Sequence, residues 1–173
     1  LRVSPLDNDN GYGTGQRNSM NSSYLLTDMK ILVLMMELGT PIGSLYGKVF
    51  YEYATNTAEN ADITAANTIA AGLDDAYQVG FRYGYKNLKK PSEWQGKFIY
   101  RKIEQNAVLS AFNDSNFHEG GTNAKGIQVG LKYQIRNGVQ ASYTFWDTEN
   151  ERNAVGSLPY DVQMHHLDLN FNF

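Results

Sequence analysis

Residues 165–173 read "HHLDLNFNF". From Leu167 onward the apolar residues Leu167, Leu169, Phe171 and Phe173 alternate with Asp168, Asn170 and Asn172. A period of two sends successive side chains to opposite faces of a β-strand, so this strand separates two different environments. The same pattern recurs upstream. Tyr77, Val79, Phe81, Tyr83 and Tyr85 oppose Gln78, Gly80, Arg82, Gly84 and Lys86. Ile127, Val129, Leu131, Tyr133 and Ile135 oppose Gly126, Gln128, Gly130, Lys132 and Gln134. Val139, Ala141, Tyr143 and Phe145 oppose Gln140, Ser142 and Thr144.

Strands are expected at 29–38, 44–55, 75–86, 94–105, 125–135, 139–147 and 161–173. Two of them are irregular. "KILVLMMEL" (30–38) is apolar on both faces, and Val162 and Met164 run in the opposite phase from Leu167. A bulge near His165 and His166 would reconcile that phase break. Apolar residues spaced every three or four positions occur only around Ala65–Leu73, where a short loop helix is expected.

Composition sets the limits. The 173 residues carry a formal net charge of −3, which gives no attraction to nucleic acid, and no cysteine, which excludes thiol chemistry and cysteine metal sites. The longest apolar run, "ILVLMM", is far short of the roughly 18 residues of a membrane-spanning helix. Alternating strands escape that test, because their hydropathy cancels in any average.

Connection lengths discriminate further. Short connections at 39–43, 87–93 and 136–138 carry turn chemistry in "GTPIG", "NLKKPSE" and "RNG". They alternate with long ones at 56–74, 106–124 and 148–160, rich in Asn, Asp, Thr and Gly. Long loops kept at one end and short turns at the other are the habit of outer-membrane barrels. With residue 173 at the periplasmic side, every long loop falls outside. The apolar face then bands by depth. Trp94, Tyr83, Tyr85, Tyr133, Phe171 and Phe173 lie at the periplasmic ends, and Tyr51, Tyr53, Tyr77, Tyr143 and Phe145 at the outer ends. Val49, Val79, Phe81, Val129, Leu131, Ala141 and Leu167 lie between them, so the aromatics form two girdles. A soluble β-sandwich predicts no such banding. The expected fold class is all-β, an antiparallel transmembrane β-barrel.

The stretch from Trp94 to Trp146, "WQGKFIYRKIEQNAVLSAFNDSNFHEGGTNAKGIQVGLKYQIRNGVQASYTFW", resembles the C-terminal region of the Gram-negative putative porin family. In that family a Trp-initiated strand leads to an Asp-Ser-Asp-Phe…Gly-Gly-Thr loop and then to a Gly-started alternating strand. Here the loop reads Asp114, Ser115, Asn116, Phe117, His118, Glu119, Gly120, Gly121, Thr122, and Asn116 in place of the second acid argues against a cation site. The resemblance is specific over 94–147 and looser from 40 to 93. It implies an outer-membrane pore of about sixteen strands in the whole protein. Residues 29–173 would then be the C-terminal part of one barrel domain, and 1–28 an extracellular loop or incomplete N-terminal portion. The partners it implies are outer-membrane lipid, small hydrophilic solutes, the barrel-assembly machinery through the terminal Phe173, and further copies in a homo-trimer. It implies no cofactor and no nucleic acid.

Parity places Lys48, Glu52, Arg82, Lys86, Lys97, Arg101, Lys132 and Asp168 on the lumen face, and six of these eight are basic. Water alone accounts for a polar lumen; a basic ladder would in addition set a positive field and a weak anion preference. On the same parity Leu131→Arg is costly and Gln128→Arg is not. His165 and Ser142 sit on neighbouring strands, as a barrel hydrolase would require, but parity sends them to opposite faces with no third orienting group. The loop around Asp114 and Glu119 has two readings, a constriction folded into the pore or packing at the rim, and Gly120 and Gly121 are read as turn residues. The expected function is a porin for passive diffusion of small hydrophilic solutes. The alternatives are a structural or adhesive barrel with partner-binding surface loops and, third, the hydrolase.

Overall fold

The structure, a computed structural model, describes residues 20–21, 24–25, 29–58, 73–109, 113–151 and 160–172. A two-residue pair, β1 (Met20–Asn21) and β2 (Tyr24–Leu25), precedes seven long strands. These are β3 (Ile31–Ile42), β4 (Leu45–Asn56), β5 (Asp75–Gly84), β6 (Trp94–Ile103), β7 (Ala124–Arg136), β8 (Val139–Asn150) and β9 (Asp161–Phe171). They form one antiparallel sheet in chain order, each strand hydrogen-bonded to its sequence neighbours. The fold is all-β. Among the described residues no helix is long and apolar enough to cross a membrane.

The connections fall as the turn chemistry predicts. Gly43–Ser44, 85–93 and Asn137–Gly138 close one end of the sheet, while 57–74, 104–123 and 151–160 join strands at the other. Gly138 has φ +75°, and a Cβ there would collide with the carbonyl oxygen of Asn172, so this tight turn demands glycine.

Several boundaries differ from the sequence reading. β3 runs through Gly39, Thr40 and Pro41, and only Gly43–Ser44 turns. β5 stops at Gly84, whose φ of +134° breaks the pleat, so Tyr85 and Lys86 lie in the connection and parity does not orient them. β8 continues to Asn150, which moves Tyr143 and Phe145 from the expected outer end to mid-strand, opposite Leu167 and His165. The bulge expected near His165 and His166 is absent, because β9 pairs with β8 without a shift from Phe171 to Asp161. The irregularity lies in β7 instead, where the register steps between Gln134 and Arg136. Phe173, most of 1–28 and all but Leu73 of the expected loop helix lie outside the described residues.

The two faces differ as alternation requires. On the apolar face, side chains such as Leu38 (78 % exposed), Leu131 and Leu167 (77 %) project with no protein cover. The opposite, polar face carries the charged residues of the strands' central span, and at the long-loop end it also carries the buried core. There Ala54, Ala76, Ile103, Ala124 and Trp146 pack against Ala107 and Phe117 of the 104–123 connection.

Candidate functional site on the polar face

Cross-strand register sorts the polar face into rows. Near the short turns, Tyr46, Gly84, Gln95, Lys132, Ser142 and Asp168 lie side by side across six strands. The next row holds Lys48, Arg82, Lys97, Gly130, Thr144 and His166. Above it run Phe50, Gly80, Ile99, Gln128, Trp146 and Met164, and then Glu52, Gln78, Arg101, Gly126, Thr148 and Val162. The charged strand residues assigned to this face by parity share it, and Lys86 lies in the turn with its ammonium 4.9 Å over the ring of Tyr46, a residue of this face.

Near the long-loop end the polar groups are matched. Gln78 donates to Glu52 (2.6 Å) and accepts from Arg101 Nε (3.1 Å), linking three strands. Arg101 also meets the Asp114 carboxylate at 3.8 Å and stacks 4.7 Å over the Phe117 ring. These contacts fold the 104–123 connection onto the polar face at its rim. Phe117 (1 % exposed) and His118 (0 %) are its anchors. The two His118 ring nitrogens lie 3.1 Å from Thr148 Oγ1 and 2.9 Å from Asn150 Oδ1. Holding that ring inward puts His118 and Glu119 at φ +49° and +56°, a left-handed conformation that non-glycine residues adopt at a cost. Gly120 at φ +77° is a turn glycine as read, whereas Gly121 has an ordinary φ of −75°. Asp114 shapes the loop through its own carboxylate, which accepts from the Asn116 backbone N–H at 3.0 Å.

Lower on the wall the matching ends. Lys48 pairs with Glu37 at 2.5 Å, and Ser142 donates to Asp168 at 3.4 Å. Among the described residues Arg82 has the Phe50 ring, 5.7 Å away, and no carboxylate partner, and Phe50 lies in the space left by the missing side chain of Gly80. Donor geometry turns the Gln128 carboxamide oxygen to Lys97 Nζ (3.0 Å) and Trp146 Nε1 (3.2 Å). Gln128 is therefore on the polar face as expected but buried, and an arginine there would disrupt both contacts. The expectation that Gln128→Arg is cheap fails for lack of space.

On the apolar face, Tyr83 and Trp94 meet edge-on (5.9 Å) near the short turns, with Tyr133 one strand away. Near the long loops Tyr53 donates to Asp75 (2.6 Å) and Tyr77 packs on Tyr100 (6.1 Å), a residue that the sequence reading passed over. Tyr51 occupies the same face, as does Phe171 at the end of β9. Tyr143 lies 2.8 Å from His165 Nδ1, and Phe145 packs on the same imidazole. Ser142 and His165 are thus on opposite faces, and they form no nucleophile–base pair. Among the described residues no three metal-ligating side chains converge.

Two acids outside the strands' central span have displaced titration. Burial, with Asp75 and Glu104 nearby, raises Asp74 above the usual carboxylate range. The backbone N–H groups of Lys89 and Lys90 hold Glu93 below it.

No curated protein and no solved structure matches the chain. A family model described as "Putative porin" matches residues 16–173, the whole of the seven-stranded sheet included. The chain belongs to the putative porin family.

Proposed function

We propose that this sheet is part of the wall of a water-filled outer-membrane channel that passes small hydrophilic solutes by passive diffusion. One observation carries the reading: a meander of seven strands with one uncovered apolar face and one charged face. Strands crossing a bilayer need such a division, with lipid against Leu38, Leu131 and Leu167 and water against Arg82, Lys97 and Lys132. An open edge in hydrocarbon leaves backbone groups unpaired at several kcal/mol each, so further strands on the free edges of β3 and β9 close the barrel. The lumen polarity serves transport rather than catalysis. The 104–123 connection supports a narrowed mouth more than a plugged lumen, since it covers the rim rows and leaves the basic row below it open.

The basic row gives a mild anion preference. Two unit charges about 10 Å apart in water interact by only ~0.4 kcal/mol, so no single cation gates the pore. The Debye length of about 8 Å at physiological salt makes the bias fade as salt is added. Single-channel recording of the full-length protein in planar bilayers tests the reading. Steady ohmic conductance with a reversal potential favouring chloride is the expected result, and an electrically silent protein overturns it. On intact cells, Ser115→Cys should react with an impermeant thiol reagent while Asn137→Cys stays protected; the reverse pattern inverts the topology.

A further inference from the structure

We propose that Arg82, Lys97 and Lys132 form a binding subsite for small multivalent oxyanions, phosphate or dicarboxylate, in this wall. The subsite rests on the channel reading for its access but not for its chemistry. Arg82 and Lys97 are direct cross-strand partners, and Lys97 in turn faces Gly130, two residues before Lys132. Direct partners stand about 5 Å apart at Cβ and diagonal ones about 7–8 Å, so all three cations share one patch. Like charges directly opposite destabilise a sheet unless something lies between them.

At four other strand cations the chain supplies that compensation. Lys48, Arg101, Lys102 and Lys125 each pair with a carboxylate. Among the described residues no carboxylate reaches ion-pair distance of Arg82, Lys97 or Lys132. Gly130 lets the stem of Lys97 lie across the polar face towards Lys132's strand, since a Cβ there would stand 2.5 Å from Lys97 Cε. Gln128 holds one ammonium proton of Lys97 and leaves the others for a ligand. Phe50 supports the Arg82 guanidinium, whose planar fork suits two oxygens of one anion. Chloride offers one charge and no such geometry, whereas phosphate and dicarboxylates offer both.

Phosphorus NMR of inorganic phosphate added to the refolded full-length protein at constant ionic strength reads the site directly. Saturable line broadening in the millimolar range is expected, since a transport subsite must release what it binds. The double variant Arg82→Gln/Lys97→Gln should weaken it at least about tenfold, and Lys132→Gln by about threefold. Arg82→Lys, which keeps the charge but loses the fork, should weaken it by about threefold, and Lys125→Gln, on the other face, should leave it unchanged. Phosphate should also stabilise the wild type against denaturant and leave the double variant unmoved, which separates lost binding from lost folding. Competition by succinate extends the class to dicarboxylates, and its failure narrows the site to phosphate. Broadening that does not saturate, or that the double variant retains, overturns the subsite. Conductance measured alongside separates the two readings: a conducting pore without phosphate binding sinks the subsite alone, and binding without conductance sinks the channel alone.

Discussion

The two ends of the polar face are built from the same alternating strands and solve opposite problems. At the long-loop end, Ala54, Ala76 and Ala124 leave a shallow floor into which Phe117 settles, and Arg101 there has the Asp114 carboxylate. At the short-turn end, glycines take the place of alanines, and among the described residues no connection covers Arg82, Lys97 and Lys132 or brings them a carboxylate. Small residues therefore serve two purposes on one wall. Where the facing connection is long enough to reach them they make a seat, and at Gly130, where it is not, the stem of Lys97 takes the place instead.

The largest effect expected from this contrast is at the seat. Phe117→Ala removes a fully buried ring and should cost about 3–5 kcal/mol in reversible denaturant unfolding. It should also raise single-channel conductance by freeing the 104–123 connection from the mouth. Phe50→Ala, lower on the wall and only half-buried, should cost clearly less; equal losses would mean that the two ends are not differently packed.

Next comes the contrast between faces. Leu131→Arg should cost about 2–4 kcal/mol in lipid, while its neighbour Lys132→Arg should change stability by less than about 0.5. Matching penalties from unfolding out of liposomes would show that β7 does not divide lipid from water.

Parity along β7 and β8 makes the division into two faces legible in the sequence, because Ile127, Val129 and Leu131 must share a face whatever lies opposite. It could not show that part of the polar face is dry. Val162 and Met164 looked out of phase for that reason. Met164 belongs to the polar face because it packs on the core around Trp146, and tertiary contact there outweighs the demand for a polar residue. Gln128 was misjudged in the same way, its face correct and its crowding invisible. His118 carried no signal, since loop residues have no period to reveal burial. The alanines at positions 54, 76 and 124, all in the polar phase and all near the long loops, were the one available hint of the seat.

A smaller effect is expected at the rim of the apolar face, where Lys125 pairs with Glu149 at 3.3 Å and with Glu151 at 3.6 Å. Lys125→Gln should cost about 0.2–1 kcal/mol, less as salt rises. A large, salt-independent loss would place these charges inside the dry seat rather than beside it.

The smallest is a pH effect at Asp74. Its folded-state pKa is raised, so its contribution is fully stabilising below the unfolded value and is lost as pH rises through the folded one. Burial and the neighbouring Asp75 and Glu104 disfavour its ionised form. Asp74→Asn should remove that downward slope above the ordinary carboxylate range, read from unfolding midpoints against pH. A slope that persists in the variant assigns it to another acid.

The seat of the 104–123 connection has a consequence for the order of assembly. This connection joins β6 to β7, yet Phe117 and His118 rest against Trp146, Thr148 and Asn150 of β8, a strand made later in the chain. The β7–β8 hairpin closes through two residues and can form within microseconds, whereas longer loops carry a larger closure entropy. The connection therefore cannot dock when its own two strands pair. It must wait, with a buried phenylalanine and histidine still wetted, until the following hairpin is in place. Docking of the rim is a late step that reports a completed neighbour, and a time-resolved probe at Phe117 should lag one at Val139.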